Sequence, residues 1–319
     1  MRTLLNFALA CLCVTACGDE EADPRLDATT ANGSADALLE ASAPEPTVDG
    51  GPDAAAAAVG ENLLAVLDTL GFAREIMPGI APGFNVDGLI SRGTEPESCF
   101  KPDYTSPDGT PGIDNQMAKL VPLLEVAGLG AAEGLAQGAI EDGGLLILVE
   151  ISGVDDRLND EQVSVRIRAA QGLPLLGTDG KLLPGQTFHL HPESPDSLDP
   201  NGRVTDGWLE AGPFEAHVPI VVFGLRYDVT VQTARIRARF TEDGSLVDGV
   251  LGGGVTIENL MGIGRIAARD DTSVLTAIEA VFGSNGDLEP DDSGRCQQVS
   301  AAFTFSAVSA FLFDEGPPD

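Results

Sequence analysis

"QVSAAFTFSAVSAFLF", residues 298–313, sets Val299, Ala301, Phe303, Phe305 and Ala307 on one side and Ser300, Ala302, Thr304 and Ser306 on the other. A period of two residues marks an extended strand, whose side chains alternate between the faces of a sheet. With one face apolar and the other small or polar, the pattern is that of an antiparallel strand that packs on one side. Two stretches upstream read the same way. In "QVSVRIRA" (162–169), Val163, Val165 and Ile167 oppose Arg166 and Arg168; in "TARIRARF" (233–240), Ala234, Ile236, Ala238 and Phe240 oppose Arg235, Arg237 and Arg239. "GLLILVEIS" (144–152) is apolar throughout instead, which predicts a central strand covered on both faces.

Helical patterns flank these strands. Leu63, Leu64, Val66, Leu67 and Leu70 stand at helical spacing and predict a helix within residues 53–76. Met117, Leu120, Val121 and Leu124 predict a second helix, capped by Asp114 and made uneven by Pro122. A third is expected over 256–266, and a fourth from Asp271-Thr272 to Gly283. The expected fold is therefore α+β and β-rich: an antiparallel sheet or sandwich, with helices at the N-terminal side and one near the C-terminus. A single domain is placed at 53–319, with a helical lead-in at 53–143.

Composition narrows the function. The 319 residues carry 18 Lys+Arg against 50 Asp+Glu, a net charge of −32. Such a chain is a poor partner for nucleic acid, whose binding depends on neutralising phosphates. Aromatic residues make up only 5%, with one Trp, which disfavours the stacked-aromatic clefts of many sugar binders. No GxSxG nucleophile motif is present, and "GVLGGGVTIENL" (249–260) lacks the lysine of a P-loop. Its glycines are better suited to close packing or a tight bend.

Three groups of side chains are candidates for chemistry. The acidic, turn-rich loop 99–116 holds Asp103, Asp108, Asp114 and Asn115, oxygen ligands of the kind calcium takes from a wrapping loop. Its "DGTPGIDN" resembles the acidic calcium loops of thrombospondin-type repeats, without their strict alternation of aspartates. The alternative is a plain loop whose Asp114 caps the next helix. In "TFHLH" (187–191), His189 and His191 would share a strand face, and His217 begins another strand. That spacing resembles the three zinc ligands of α-carbonic anhydrases, which implies a metal-bound water and a zinc-dependent hydrolase or lyase. The alternative is a pair of exposed histidines on a sheet. The arginine rows, if neighbours, would make a positive stripe for an anionic glycan or an acidic partner segment. If not, they pair with the plentiful carboxylates.

The N-terminus supplies an address. Arg2 precedes an apolar run from Leu4 to Val14, shorter than the ~20 residues that span a bilayer but right for a secretory signal. Val14-Thr15-Ala16-Cys17 resembles the lipobox of bacterial lipoproteins. The resemblance implies removal of residues 1–16, acylation of Cys17, and attachment to the membrane through the lipid. Gly18, rather than aspartate, follows the cysteine, which in that family favours the outer membrane of the cell envelope. Residues 17–52, rich in Ala, Asp, Glu, Pro, Ser and Gly, are expected to be a disordered acidic tether. The mature chain would keep 17 basic and 50 acidic residues, a net charge near −33. Cys11 and Cys13 leave with the signal and Cys17 is taken by lipid, so Cys99 and Cys296 form an even pair in an exported chain and are expected to be a disulfide. It would close a loop of nearly 200 residues, about 5 kcal/mol in the chain-entropy model.

The order of lipobox, acidic spacer, DGxxGxDN loop, helix and cysteine-closed β domain resembles surface lipoproteins of Gram-negative, myxobacteria-like bacteria. That resemblance brings no activity with it. The expectation is a non-enzymatic structural, adhesive or ligand-binding domain, calcium-stabilised if the loop aspartates converge, with a cell-envelope protein or glycan as partner. The zinc enzyme using His189, His191 and His217 is the alternative.

Overall fold

The computed structural model describes residues 60–125, 132–222, 225–268 and 271–313. The expected signal, Cys17 and the tether lie outside the described residues. In chain order the elements are β1 (Glu61–Phe72), β2 (Tyr104–Thr105), β3 (Pro111–Ile113), α1 (Met117–Leu124) and α2 (Ala132–Glu141). Then come β4 (Leu146–Val154), β5 (Asp160–Gln171), β6 (Gln186–Leu190), β7 (Ser197–Thr205), β8 (Trp208–Val222), β9 (Leu225–Phe240) and β10 (Leu246–Thr256). The chain finishes with α3 (Ile257–Ala268), α4 (Thr272–Ser284), β11 (Leu288–Pro290) and β12 (Cys296–Leu312).

Eight strands pair in the order β1-β4-β5-β7-β8-β9-β10-β12, and β12 pairs back to β1. Every pairing in that ring is antiparallel, so the β-rich α+β fold holds, but the sheet is a closed barrel rather than an open sheet or sandwich. Closure leaves no free edge on these eight strands. The alternating strands read from the sequence point as expected: Val163, Val165, Ile167, Ala234, Ile236 and Ala238 are all buried. The barrel axis is filled. A cavity of only about 40 Å³ remains there, touched by side chains from seven strands, among them Leu67, Val149, Ile167, Val218, Ile236, Leu251 and Phe305. That is room for about one water, so no ligand sits inside.

The first predicted helix is a strand. Leu63, Leu64, Val66, Leu67 and Leu70 lie on β1, which pairs with β4 on one side and β12 on the other. Its neighbour explains the misleading pattern. β6 hydrogen-bonds antiparallel to the end of β5 and parallel to the end of β12, and so bridges the strands that flank β4 and β1. Phe188 of β6 and Leu182 before it join one apolar cluster with Val66 and Leu148. β1 and β4 are thus covered on both faces, which erases the period of two. A register shift between Leu67 and Thr69 disturbs the alternation further. The all-apolar "GLLILVEIS" is the doubly covered strand it was expected to be, with Leu146, Ile147, Leu148 and Val149 all buried.

The lead-in is helical only at α1 and α2; residues 73–116 are mostly loop with the small β2–β3 hairpin. α1 packs on β12 and β1, α2 on β1 and β8, and α3 on β8, β9, β10 and β12. The helices expected over 256–266 and from Asp271-Thr272 to Gly283 are α3 and α4. Asp271 caps α4 as its position suggested, its carboxylate accepting from the Ser273 and Val274 amides. The Cys99–Cys296 disulfide is present and ties loop 73–116 to the start of β12.

Candidate functional site

The outer face of the barrel carries a cleft of about 1360 Å³. Its floor follows directly from strand register. Arg203 of β7 pairs with Glu210 of β8, which pairs with Arg237 of β9. Arg237 pairs with Val250 of β10, Val250 with Thr304 of β12, and Thr304 with Gly71 of β1. One cross-strand row therefore runs over six strands, and all six residues line the cleft. Gly71 keeps this floor low: a Cβ there would stand 3.3 Å from the Glu133 carboxylate. The walls are loop segments 82–85 and 106–110 together with Glu133, Gly134 and Gln137 of α2.

Four arginines line the cleft, and three are compensated. Arg74 lies 2.7 Å from Glu125 and 2.5 Å from Glu133, which hold its pKa above the ordinary arginine value. Glu133 also accepts from the Phe72 amide, fastening α2 to the end of β1. Arg203 meets Glu210 at 2.6 Å. Arg237 stands 3.6 Å from Asp108 and stacks 4.4 Å above the ring of Trp208, the only tryptophan. The Trp208 ring also has Arg239 at 5.9 Å, and Arg239 pairs with Asp248.

Arg235 is different. It has no ion-pair partner among the described residues, and its Nε is buried without a hydrogen bond. It stands on β9 opposite Gly252 of β10, where a Cβ would come 3.2 Å from the Phe84 ring. Arg166 also has a buried Nε without a hydrogen bond, but Asp196 stands 3.0 Å from it; Arg235 has neither an acceptor nor a carboxylate.

The two arginine rows do not form one stripe, because β7 and β8 lie between β5 and β9. Arg166 pairs with Asp196 and Arg168 with Glu150, which is the pairing alternative. Only the β9 row reaches the cleft.

The four calcium candidates do not converge. Asp108 accepts from the Ser106 hydroxyl and from Thr110, hydrogen bonds that hold its pKa down to about 2. Asp103 accepts from the Ser91 amide at 2.6 Å, and burial raises its pKa. Asp114 does not cap α1. Its carboxylate accepts from the Val86 and Asp87 amides and pins the cleft wall, while burial pushes its pKa up to about 8. Asn115 donates to the Ala73 and Pro82 carbonyls and accepts from the Ala118 amide at the start of α1. The histidines are also apart. His189 on β6 stacks on Phe313, and His191 lies beyond the strand end, accepting from the Glu193 amide. His217 sits mid-strand on β8, 3.3 Å from Glu215. Among the described residues no three His, Cys, Asp or Glu side chains converge as metal ligands.

No family model matches the chain, and no curated protein or solved structure matches it.

The sequence offered no sign of a second group beneath the cleft wall. Asp287, before β11, is buried, and its carboxylate accepts from the amide and hydroxyl of Ser300. The same hydroxyl oxygen accepts from the Gln116 amide. Burial raises the Asp287 pKa to about 6 and lowers that of nearby Lys119. Loop 73–116 is thus tied to the barrel by the disulfide, its end at Gln116 is held by Ser300 and Asp287, and Asp114 fastens the loop to itself.

Proposed function

We propose that this protein is an exported, membrane-anchored lipoprotein whose barrel domain is a binding module for an anionic ligand, taken in the outer cleft. The observation that carries the binding reading is Arg235, a guanidinium in the cleft with no carboxylate of its own. The other three cleft arginines have acidic neighbours within 3.6 Å. The filled barrel axis supports an external rather than an internal site. The size of the cleft suits an extended ligand, since pockets for small molecules run to roughly 300–1,000 Å³. An arginine fork suits carboxylate and phosphate, and the mixed charges of Arg237, Asp108 and Glu210 suit the hydroxyls of a glycan. The cell-envelope location and the lipid on Cys17 rest on the lipobox resemblance alone.

The experiment compares oligogalacturonate with its neutral methyl ester by calorimetry. The acid form is expected to bind and the ester to bind at least tenfold more weakly, with Arg235→Gln removing the difference. A charged hydrogen bond contributes about 1.5–3 kcal/mol, or roughly 10- to 100-fold. Equal binding of acid and ester, or an unchanged difference in Arg235→Gln, would refute the anion site.

A further inference from the structure

The cleft of about 1360 Å³ is large, yet among the described residues it offers one uncompensated positive charge. Four arginines line it, Arg74, Arg203, Arg235 and Arg237, and so do four carboxylates, Asp108, Glu133, Glu210 and Asp248. Glu133 pairs with Arg74, Glu210 with Arg203 and Asp108 with Arg237, while Asp248 pairs with Arg239 outside the lining. Arg235 is left over. The remaining polar side chains of the lining are uncharged, Thr69, Asn85, Gln137, Asn201 and Thr304 among them. Hydroxyls and amides of this kind donate and accept, which suits the hydroxyls of a neutral chain.

Asp108 reaches its arginine in a different way from the other acids. It comes on the turn between β2 and β3, from the loop that walls the cleft, and its two oxygens have separate tasks. Oδ1 accepts from the Ser106 hydroxyl and the Thr110 amide and fixes the turn. Oδ2 faces Arg237 at 3.6 Å, with the Arg237 side chain 40% exposed and that of Asp108 52%. A pair so long and so wet contributes little to stability. Its consequence is for what enters the cleft. Arg235 and Arg237 are alternate residues on the outer face of β9, about 6.6–6.8 Å apart along the strand, a spacing suited to two neighbouring anions. Asp108 occupies one of the two. Its turn holds its pKa down to about 2, so the carboxylate is charged throughout the neutral range.

We propose that the ligand is a largely uncharged oligomer with an isolated carboxylate, which binds Arg235, and that Asp108 turns away a second anion beside it. This rests on the anionic-ligand reading and sets the charge density that the ligand must have. A second carboxylate would meet Asp108 at Arg237 and Glu210 on the neighbouring strand, with no open cation among the described residues to offset the repulsion.

The test uses three galacturonate trimers in calorimetry at low salt: one with every residue acid, one fully methyl-esterified, and one with a single acid between two esters. The wild type is expected to show no preference for the all-acid trimer over the single-acid one beyond the about threefold that three acids give by number. Asp108→Asn keeps Oδ1 for Ser106 and Thr110, so the turn survives and only the charge is lost. It is expected to tighten the all-acid trimer roughly three- to tenfold and to change the single-acid trimer by less than about twofold. The gain should fade in about 0.5 M NaCl, where exposed charges are screened. A larger preference of the wild type for the all-acid trimer would overturn the proposal without any variant. So would an Asp108→Asn protein that treats both acids alike or leaves both unchanged. In either case the anion site stands, provided both acids bind more tightly than the ester. Ester binding as tight as acid binding, or no binding of any trimer, would instead refute the anion site and this proposal with it.

Discussion

Arg235 and Ile236 are consecutive residues of one strand, and they face opposite environments. Ile236 points to the barrel axis, where Phe305, Leu251 and their neighbours leave about 40 Å³. Arg235 points to the outer cleft of about 1360 Å³, with a buried nitrogen that nothing satisfies. The inside follows the rule for stable cores, close packing without unmet polar groups. Five buried side-chain atoms among the described residues lack a hydrogen-bond partner, and Arg235 Nε is the one that belongs to a cleft-lining residue. A barrel whose axis is full cannot bind within it, so its stability and its recognition are divided between the two faces of the same strands. Each can then be altered without the other.

The largest effect should come from the inside. Ile167 lines the axial cavity, not the cleft, and is 1% exposed. Ile167→Ala should cost about 2–5 kcal/mol by chemical denaturation. Ligand affinity measured well below the new melting temperature should not change. A loss of affinity in folded Ile167→Ala protein would mean that the two faces are coupled after all.

Next in size is the attachment of the cleft wall. Cys99→Ser with Cys296→Ser releases a loop of 197 residues, and native disulfides contribute typically 2–4 kcal/mol. This change should lower stability and also weaken ligand binding, because loop 82–85 and 106–110 would no longer be held over the floor. Reduction that lowers stability while binding is untouched would remove the wall from the site.

The buried carboxylates give the same wall a pH dependence. Folding raises the pKa of Asp114 to about 8 and of Asp287 to about 6, with burial as the chief cause. In the unfolded chain both titrate near the ordinary value of about 3.9. Below that value both states are protonated and no penalty exists. As pH rises, the unfolded state loses its proton first, so stability falls from about pH 4 up to the folded pKa values. Each group contributes at most about 1.4 kcal/mol per pH unit in its window. Asp114→Asn keeps an acceptor for the Val86 amide and should flatten the upper part of the decline, between pH 6 and 8. An unchanged slope in melting temperature against pH would show that Asp114 is not the group responsible.

The sequence displayed the inward faces of β5, β9 and β12 because each has one covered face and one polar face. It displayed α4 because Asp271 and the glycine-poor run after it carry ordinary helix signals. β1 was misread for a local reason: with β4, β12 and the β6 segment around it, Leu63, Leu64, Val66 and Leu67 have no polar side to reveal. Barrel closure is a pairing between residues some 240 positions apart, such as Leu67 with Ala307, and no local pattern encodes it. The arginines of the cleft were visible as a row, yet nothing in "TARIRARF" distinguishes Arg235 from Arg237. Asp108, which arrives from a distant loop, makes that distinction. The histidines show the converse failure: two positions apart in sequence, His189 and His191 are separated by the end of their strand.

The smallest effect on stability should be the most informative. Arg235 makes no ion pair among the described residues, so Arg235→Gln should change folding free energy by no more than about 0.5 kcal/mol, the usual range for changes that break no contact. Arg237→Gln is the control one turn of the pleat away. It loses the Trp208 stack and the Asp108 contact, worth about 0.5–1 kcal/mol together at a half-exposed site. If Arg235 is kept for a ligand, its replacement should abolish anion binding at almost no structural cost, while Arg237→Gln should weaken both stability and binding modestly. The reverse ranking, with Arg235→Gln clearly destabilising in the absence of ligand, would show that the buried guanidinium supports the barrel wall and is not held in reserve for recognition.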